Sequence, residues 1–179
     1  MPKSYQESFE ILASLVEIIG GPRPDIARPP RHDDEEVGPS LFRSFVADAN
    51  LSDLTLPGLY VGRSEITACD FSRSDLHLST FNWSDFSCCQ FTDCDLRGSD
   101  LRACKFEDCS FRDADLSGAD VRGSAFERCD FVGARCDDLI LYRRGGLLRI
   151  STDETRVPLS KEQRARVKWT REYPEPGGG

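Results

Sequence analysis

Hydrophobic residues recur at every fifth position along the middle of this chain. The series runs from Leu41 to Phe131 without an insertion, and all nineteen positions carry Leu, Val, Ile or Phe. A period of five matches neither an α-helix, with 3.6 residues per turn, nor a continuous strand, in which side chains alternate. It predicts short extended segments that are interrupted by a corner at regular intervals.

A second series lies two residues before the first and contains only small side chains. From Ser64 to Ala134, all fifteen of these positions are Ser, Cys or Ala. Residues two apart in an extended segment point the same way, so we expect both series to face the interior. The position between them is Asp in eight repeats. Its side chain points outward, where it can bond nearby backbone, and the other two residues turn the chain.

Reading the repeats every twenty residues sorts the residue types into columns, whereas a spacing of fifteen mixes Leu with Phe. Identical residues in stacked columns indicate that like side chains pack on like, which predicts four sides per coil. The predicted core columns are Phe71, Phe91, Phe111 and Phe131, then Leu76, Leu96 and Leu116, and the small-position column Cys69, Cys89, Cys109 and Cys129.

The segment from residue 41 to residue 141 resembles the pentapeptide-repeat family, whose repeat reads A(D/N)LXX. Residues 114–118 (ADLSG) and 119–123 (ADVRG) match that pattern closely. The resemblance implies an all-β fold, a right-handed quadrilateral β-helix, here with short flanking α-helices. It also implies protein binding, because some family members resemble DNA in size and charge and bind type II topoisomerases. The fold is shared by proteins with unrelated roles.

The N-terminal flank predicts an amphipathic helix over residues 1–21 and a Pro-rich charged linker over residues 22–40. Ser4 and Glu7 have the spacing of a capping box, and Gly20 and Gly21 end the helix. We expect its apolar stripe to pack on the repeats or on a partner. The candidate docking residues are Tyr5, Phe9, Leu12, Val16 and Ile19.

The C-terminal flank predicts a hairpin and helix cap over residues 142–173 and a disordered tail over residues 174–179. Residues 147–150 are expected to pair back as a hairpin. Ser160 and Gln163 form a second possible capping box, which opens a helix to about residue 172. Ala165, Trp169 and Tyr173 then share one face as candidate docking residues. In the family a C-terminal helix can mediate dimerisation, so the resemblance leaves a homodimer open.

The chain holds 31 acidic and 23 basic residues, a formal net charge of −8. That balance argues against a general nucleic-acid-coating protein, which needs a basic face, so we expect no direct nucleic-acid binding. Residues 41–141 carry 18 acidic and 10 basic side chains, while residues 142–179 carry 5 and 9. The apolar stretch near residue 9 resembles neither a signal peptide nor a membrane span. We therefore expect no membrane association and a cytoplasmic location with reduced thiols.

Eight cysteines raise the question of disulfides and metals. No C-x-x-C occurs, and stacked inward thiols about 4.8 Å apart converge on no tetrahedral centre and stand too far apart for a disulfide. We interpret them as small buried residues, with no metal and no cofactor. Cys88 lies on an outward corner, which leaves its reactivity open.

Catalysis finds little support in the sequence. His32 and His77 are the only histidines in the sequence, so there are few ways to combine a nucleophile, a histidine and an acid in one catalytic site. An enzyme would also need a concave site that the repeat does not provide. We therefore predict no enzymatic activity.

One group of outward residues stands out as a candidate partner-binding surface. Leu78 and Trp83 occupy equivalent positions on successive corners, with His77 and Asn82 beside them. Exposed Leu and Trp could anchor a partner, or the N-terminal helix or linker could cover them. Arg97, Arg102 and Arg122 predict a local basic patch on the acidic rod.

The function favoured by these features is non-catalytic protein binding. The resemblance and the acidic rod suggest a resistance or self-immunity factor that binds DNA gyrase or topoisomerase IV as a DNA mimic. The alternative is an immunity or adaptor protein that holds a toxin or effector through a flank or through Leu78 and Trp83.

Overall fold

The computed structural model describes residues 1–18, 40–141, 149–151, 158–165 and 168–169. The predicted linker, apart from Ser40, and the predicted tail lie outside the described residues, as do Ile19 and Tyr173. Among the described residues, no helix combines the length and the apolar character needed to cross a bilayer. The elements, in chain order, are α1 (Tyr5–Ile18), β1 (Ser40–Phe42), β2 (Phe45–Ala47), β3 (Tyr60–Gly62), β4 (Glu65–Thr67), β5 (Asp85–Ser87), β6 (Lys105–Glu107), β7 (Ala125–Glu127), β8 (Arg149–Ser151), α2 (Lys161–Ala165) and β9 (Lys168–Trp169).

The repeats form a quadrilateral β-helix in which each coil uses twenty residues. Val46 pairs with Ile66, Ile66 with Phe86, and Phe86 with Phe106, always in parallel register. Isolated parallel bridges on the other sides keep the same spacing, as between Asp75 and Asp95. The predicted period of four repeats per coil is therefore confirmed.

The core consists of the hydrophobic series stacked in columns along the axis. All nineteen residues from Leu41 to Phe131 are buried, with exposed fractions of 4% or less. Rings one coil apart lie nearly parallel, and the Phe71 and Phe91 centroids are 5.0 Å apart. Rings of adjoining columns meet edge to face, as Phe86 and Phe91 do at 5.8 Å. Both arrangements are favourable for aromatic pairs, so the eight Phe of the series form one continuous interior ladder.

The small series packs beside this ladder and also satisfies interior hydrogen bonds. Ser84 Oγ donates to the Val61 carbonyl of the previous coil, and Cys89 Sγ makes the corresponding weaker contact with Ile66. Ser, Cys and Ala fit the narrow interior beside a large aromatic column, and the polar ones find an acceptor there. The exception within this series is Ser79, whose buried Oγ has no hydrogen-bond partner among the described residues. The six cysteines of this series are thus small buried residues that double as weak donors.

The Asp between the two series fixes the corner that follows it. Asp70 Oδ1 accepts the Ser72 N–H, and Asp115 Oδ1 accepts the Ser117 N–H, in each case two residues along the chain. Short polar side chains commonly bond the backbone in this way at turns. Asp85 lies in the β5 strand, and no such bond forms there among the described contacts.

The N-terminal segment covers the first coil. The predicted capping box is present, because Ser4 N–H and Oγ–H donate to Glu7 and the Glu7 N–H donates to Ser4 Oγ. The Lys3 N–H donates to the Asp53 carbonyl, and buried Ser8 Oγ accepts the Thr55 N–H at 2.8 Å. These bonds occupy backbone groups that the first coil would otherwise leave open.

The face of α1 that packs on the rod differs from the predicted stripe. Leu12 is buried as expected, and Ile11 and Leu15 pack against the core. Tyr5 and Phe9 are 44% and 38% exposed instead. The bonds of Lys3 and Ser8 to the first coil set the rotation of the helix, and that rotation turns the two aromatic residues outward. The side chain of Val16 lies outside the described residues.

The C-terminal prediction is wrong in two places. β8 pairs in parallel with β7, with Phe126 opposite Ile150, so the segment extends the sheet and does not fold back as a hairpin. α2 ends at Ala165, and Trp169 lies in β9, opposite Ile150. Because the helix ends before Trp169, Ala165 and Trp169 share no helix face. The unpaired edge of the last coil offers backbone partners that local helix propensity does not include.

Candidate functional site

The fifth residue of every repeat has a left-handed backbone. Twenty successive corner residues, from Arg43 to Asp138, have φ between 51° and 76°, and five of them are Gly. Left-handed backbone favours Gly, Asn and Asp, and costs bulky residues of order 1–3 kcal/mol. Leu78 and Trp83, with φ of 58° and 56°, are among the least suited residues for this position.

These two side chains are nevertheless exposed at successive corners of the same side of the rod. Leu78 is 63% exposed and Trp83 is 68% exposed, so α1 does not cover them. We call the side between them, residues 78–83 with residues 98–103 and 118–123 of the following coils, the Leu78/Trp83 face. It presents two large apolar groups, one at each corner of this side of the rod.

The corners that follow along this face carry small residues. Gly98 and Gly118 come after Leu78 in its column, and Ala103 and Gly123 come after Trp83. Leu78 Cδ2 lies only 3.0 Å from the point where a Cβ of residue 98 would stand. Glycine at that corner therefore leaves room for the Leu78 side chain, and the surface beyond stays flat.

The three arginines of the predicted basic patch are paired with carboxylates, so the prediction of a net positive charge there is wrong. Arg97, Arg102 and Arg122 each form a two-pronged ion pair with the Asp two residues earlier. These hydrogen bonds and charges raise the pKa of each guanidinium further above its usual range. Each Asp accepts the backbone N–H of the Arg two residues later, and the Arg side chain lies on the same side of the turn. Each Arg therefore pairs with the Asp of its own repeat. The partners Asp95, Asp100 and Asp120 were missed, although an Asp-x-Arg spacing across a turn could have indicated them.

Ion pairs also join neighbouring coils on this face. Arg102 Nε lies 3.8 Å from the Asp120 carboxylate of the next coil. Asn82 is half-buried beside Trp83, and His77 Nδ1 lies 2.5 Å from Asp75 Oδ1. The structure therefore brings all seven predicted residues to one region of the rod, as two apolar groups bordered by neutralised Arg–Asp pairs.

The cysteines offer little nucleophilic character in the interior. All eight are free thiols, and seven of them are buried. Burial raises the pKa of Cys69 to about 11 and that of Cys104 to about 12. A raised pKa keeps these thiols protonated and unreactive at neutral pH. Cys88 is exposed at a corner.

A cleft of about 640 Å³ lies between the last coil and α2. Its lining includes Cys136, whose pKa burial raises to about 12, and the carboxylates of Asp137 and Glu162. Gln163 Nε2 donates to the Cys136 carbonyl across it, and the Ser160–Gln163 capping box is present. The described residues that line this cleft include no histidine, so they bring together no pair of nucleophile and base.

Comparison with known proteins agrees with the fold. Residues 64–141 match the sequence model of the pentapeptide repeat region. This region of the chain is a pentapeptide-repeat domain, and the resemblance drawn from its sequence is confirmed. No curated protein sequence matches the chain.

Solved structures that align with this chain include pentapeptide repeat proteins. A pentapeptide repeat protein from the thylakoid lumen of Arabidopsis thaliana aligns with 23% identity over 68% of this chain and 72% of that one, with a TM-score of 0.51. Rfr23 from the cyanobacterium Cyanothece 51142 aligns with 14% identity over 66% and 86%, at 0.49. QnrB1, a plasmid-mediated fluoroquinolone resistance protein, aligns with 20% identity over 62% and 53%, at 0.39. The first of these likenesses supports the fold alone.

Proposed function

We propose that this chain is a non-catalytic protein-binding β-helix whose Leu78/Trp83 face docks a partner protein. The observation that carries the proposal is the placement of exposed Leu78 and Trp83 at left-handed corners. Gly or Asp stands at eleven of the other eighteen corners, where a left-handed backbone costs less than it does for Leu or Trp. Side chains kept at such a position against local preference point to a role outside folding.

The chemistry of the face suits a protein interface. Large, exposed Trp side chains commonly anchor interfaces when a partner pocket buries them. The surrounding Arg–Asp pairs provide a polar rim with little net charge, and the rigid coils require no reordering on binding. We expect the partner to present an apolar pocket with polar groups around it. This partner would be a toxin or effector if the chain is an immunity or adaptor protein.

The test uses two variants of the full chain. Leu78→Gly/Trp83→Gly removes both side chains and relaxes the corner backbone. Asp93→Gly makes the matched change at a left-handed corner that bears no apolar side chain. Each protein is immobilised and exposed to an extract of the source cell, and bound proteins are quantified by mass spectrometry. We expect a protein retained by the wild type and by Asp93→Gly that the double variant loses. Equal retention by all three proteins would contradict the proposal.

A second candidate partner is DNA gyrase or topoisomerase IV, bound through mimicry of DNA. Its support is the charge of the rod, 18 acidic against 10 basic residues between positions 41 and 141, together with the family resemblance. Within residues 40–141, Asp93 and Asp113 stack on one corner column without an ion pair. Inhibition of gyrase supercoiling, or relief of a gyrase poison, would support this partner. Absence of both effects at micromolar protein would exclude DNA gyrase.

We also propose a cytoplasmic location, since eight free thiols suit a reducing compartment. Arg102 and Arg122 on the Leu78/Trp83 face, and Arg97 beside it, are engaged by carboxylates, which does not favour nucleic-acid binding there.

A further inference from the structure

Within the described residues, one group of side chains has the composition of a metal site. Asp75, His77 and Asp95 each place a ligand atom within 4.8 Å of the other two. The group lies on the side of the rod that precedes the Leu78 corner. It combines one imidazole with two carboxylates, donors that first-row divalent ions accept together.

The backbone holds these donors in place. Asp75 and Asp95 face each other across successive coils as a parallel bridge. Asp75 Oδ1 accepts the His77 N–H at 3.3 Å, and Asp95 Oδ1 accepts the Arg97 N–H at 3.1 Å. The side chains of His77, Asp75 and Asp95 are 36%, 38% and 26% exposed, so an ion could reach them. Such fixed ligands lose little freedom when an ion binds.

In neighbouring repeats, arginine side chains neutralise the negative charge of Asp residues stacked in successive coils. Arg102 Nη2 lies 2.6 Å from Asp100 and its Nε lies 3.8 Å from Asp120, so a guanidinium serves two Asp of successive coils. His77 takes the equivalent place after Asp75. Histidine carries no permanent charge but is a common metal ligand, so a bound cation can supply there what arginine supplies after Asp95, Asp100 and Asp120.

Arg97 limits the affinity of the group. Its Nε and Nη2 donate to both oxygens of Asp95, at 2.8 and 2.5 Å. A carboxylate has about four acceptor sites, so Asp95 keeps capacity for an ion while sharing its charge with the guanidinium.

We propose that Asp75, His77 and Asp95 bind a divalent transition-metal ion of the zinc class, with water completing its coordination. Three protein ligands and an open position are typical of zinc sites that are accessible to solvent. The expected ion therefore binds reversibly at the surface of the rod.

The experiment titrates Zn²⁺ into the reduced full chain by calorimetry. A Cys88→Ala background keeps the exposed thiol from contributing, and Co²⁺ reports the ligand set through its visible spectrum. We expect one ion per chain, with affinity at least about tenfold weaker in His77→Gln and in Asp75→Asn. His77→Arg repeats the side chain of the next coil and should keep the fold while abolishing binding.

Two further variants complete the test. Asp113→Asn changes a carboxylate outside the group and should leave the affinity unchanged. Arg97→Gln frees Asp95 and should tighten binding, and weaker binding in this variant would contradict the role given to Asp95. Failure of the parent protein to bind Zn²⁺, or equal binding by the parent, His77→Gln and His77→Arg, would overturn the proposal.

Discussion

The interior columns and the Leu78/Trp83 face follow different rules although the same repeats build both. Inside, Phe71, Phe91, Phe111 and Phe131 occupy one position in four successive coils. Outside, the Trp83 column changes from Arg63 through Trp83 and Ala103 to Gly123. Packing against identical neighbours restricts the interior, whereas solvent tolerates any corner residue that accepts a left-handed backbone.

This contrast separates the residues that specify the rod from those that give it a role. Packing accounts for the residues of a regular column. Surface residues that depart from the repeat need another explanation, and they are the candidates for a functional role. Leu78 and Trp83 are departures that add backbone cost, and His77 departs from the arginine found at positions 97, 102 and 122.

The largest expected effect comes from breaking the interior ladder. Phe91→Ala removes a ring stacked between Phe71 and Phe111 at 5.0 Å on either side. We expect the free energy of unfolding, measured in urea, to fall by about 3–5 kcal/mol. Val132→Ala, at an exposed position on the same side of the rod, is the control and should change it little. Similar losses of unfolding free energy in the two variants would show that the interior column contributes no more to stability than an exposed position.

The next largest effect is a loss of unfolding free energy at alkaline pH, caused by the buried thiols. Burial raises the pKa of Cys104 from an ordinary value near 9 to about 12. Above pH 9 the unfolded chain releases this proton while the folded chain keeps it, so the stabilising contribution fades as pH rises toward 12. By pH 11 the loss from this thiol alone is about 2–3 kcal/mol.

Cys104→Ser is the matched variant, because Ser64, Ser84 and Ser124 hold the same column. The variant should show a shallower fall in unfolding free energy between pH 8.5 and 11 than the wild type. Identical pH slopes would mean that Cys104 ionises freely in the folded protein.

The docking of α1 on the first coil should contribute a smaller amount. Ser8→Ala removes the acceptor of the Thr55 N–H and leaves that group without its bond. We expect a loss of about 1–2 kcal/mol and faster hydrogen exchange in the first coil. Ser14→Ala, on the exposed side of the same helix, should have little effect. If both variants behave alike, the helix is not anchored through Ser8.

The sequence predicted the rod well because every repeat restates the same constraint. The twenty-residue coil followed from the Leu and Phe columns, and the registers agree. The ends were harder to predict because each is specified only once. Ser160 and Gln163 correctly indicated a helix start, but the pairing of Ile150 with Trp169 depends on the open edge of a distant coil.

The position of the candidate site was predicted from the sequence, but the neutralisation of its arginines by Asp was not. Leu78 and Trp83 were identified as outward because the corner register was correct. The pairing of Arg102 with Asp100 follows an Asp-x-Arg spacing across a turn, which the sequence contains but the prediction of a basic patch did not take into account. The proximity of His77 to Asp95 requires two coils to stack, and the spacing of metal ligands along the chain gave no hint of it.

The free energy of unfolding of Leu78→Gly/Trp83→Gly tests most directly whether these residues serve a partner or the fold. Glycine relieves the left-handed corner but loses the third of each side chain that is buried, so the two effects nearly cancel. We predict a value within about 1 kcal/mol of the wild type, with the far-ultraviolet spectrum unchanged. A loss as large as that of Phe91→Ala would show that Leu78 and Trp83 are structural and would contradict the assignment of this face to binding.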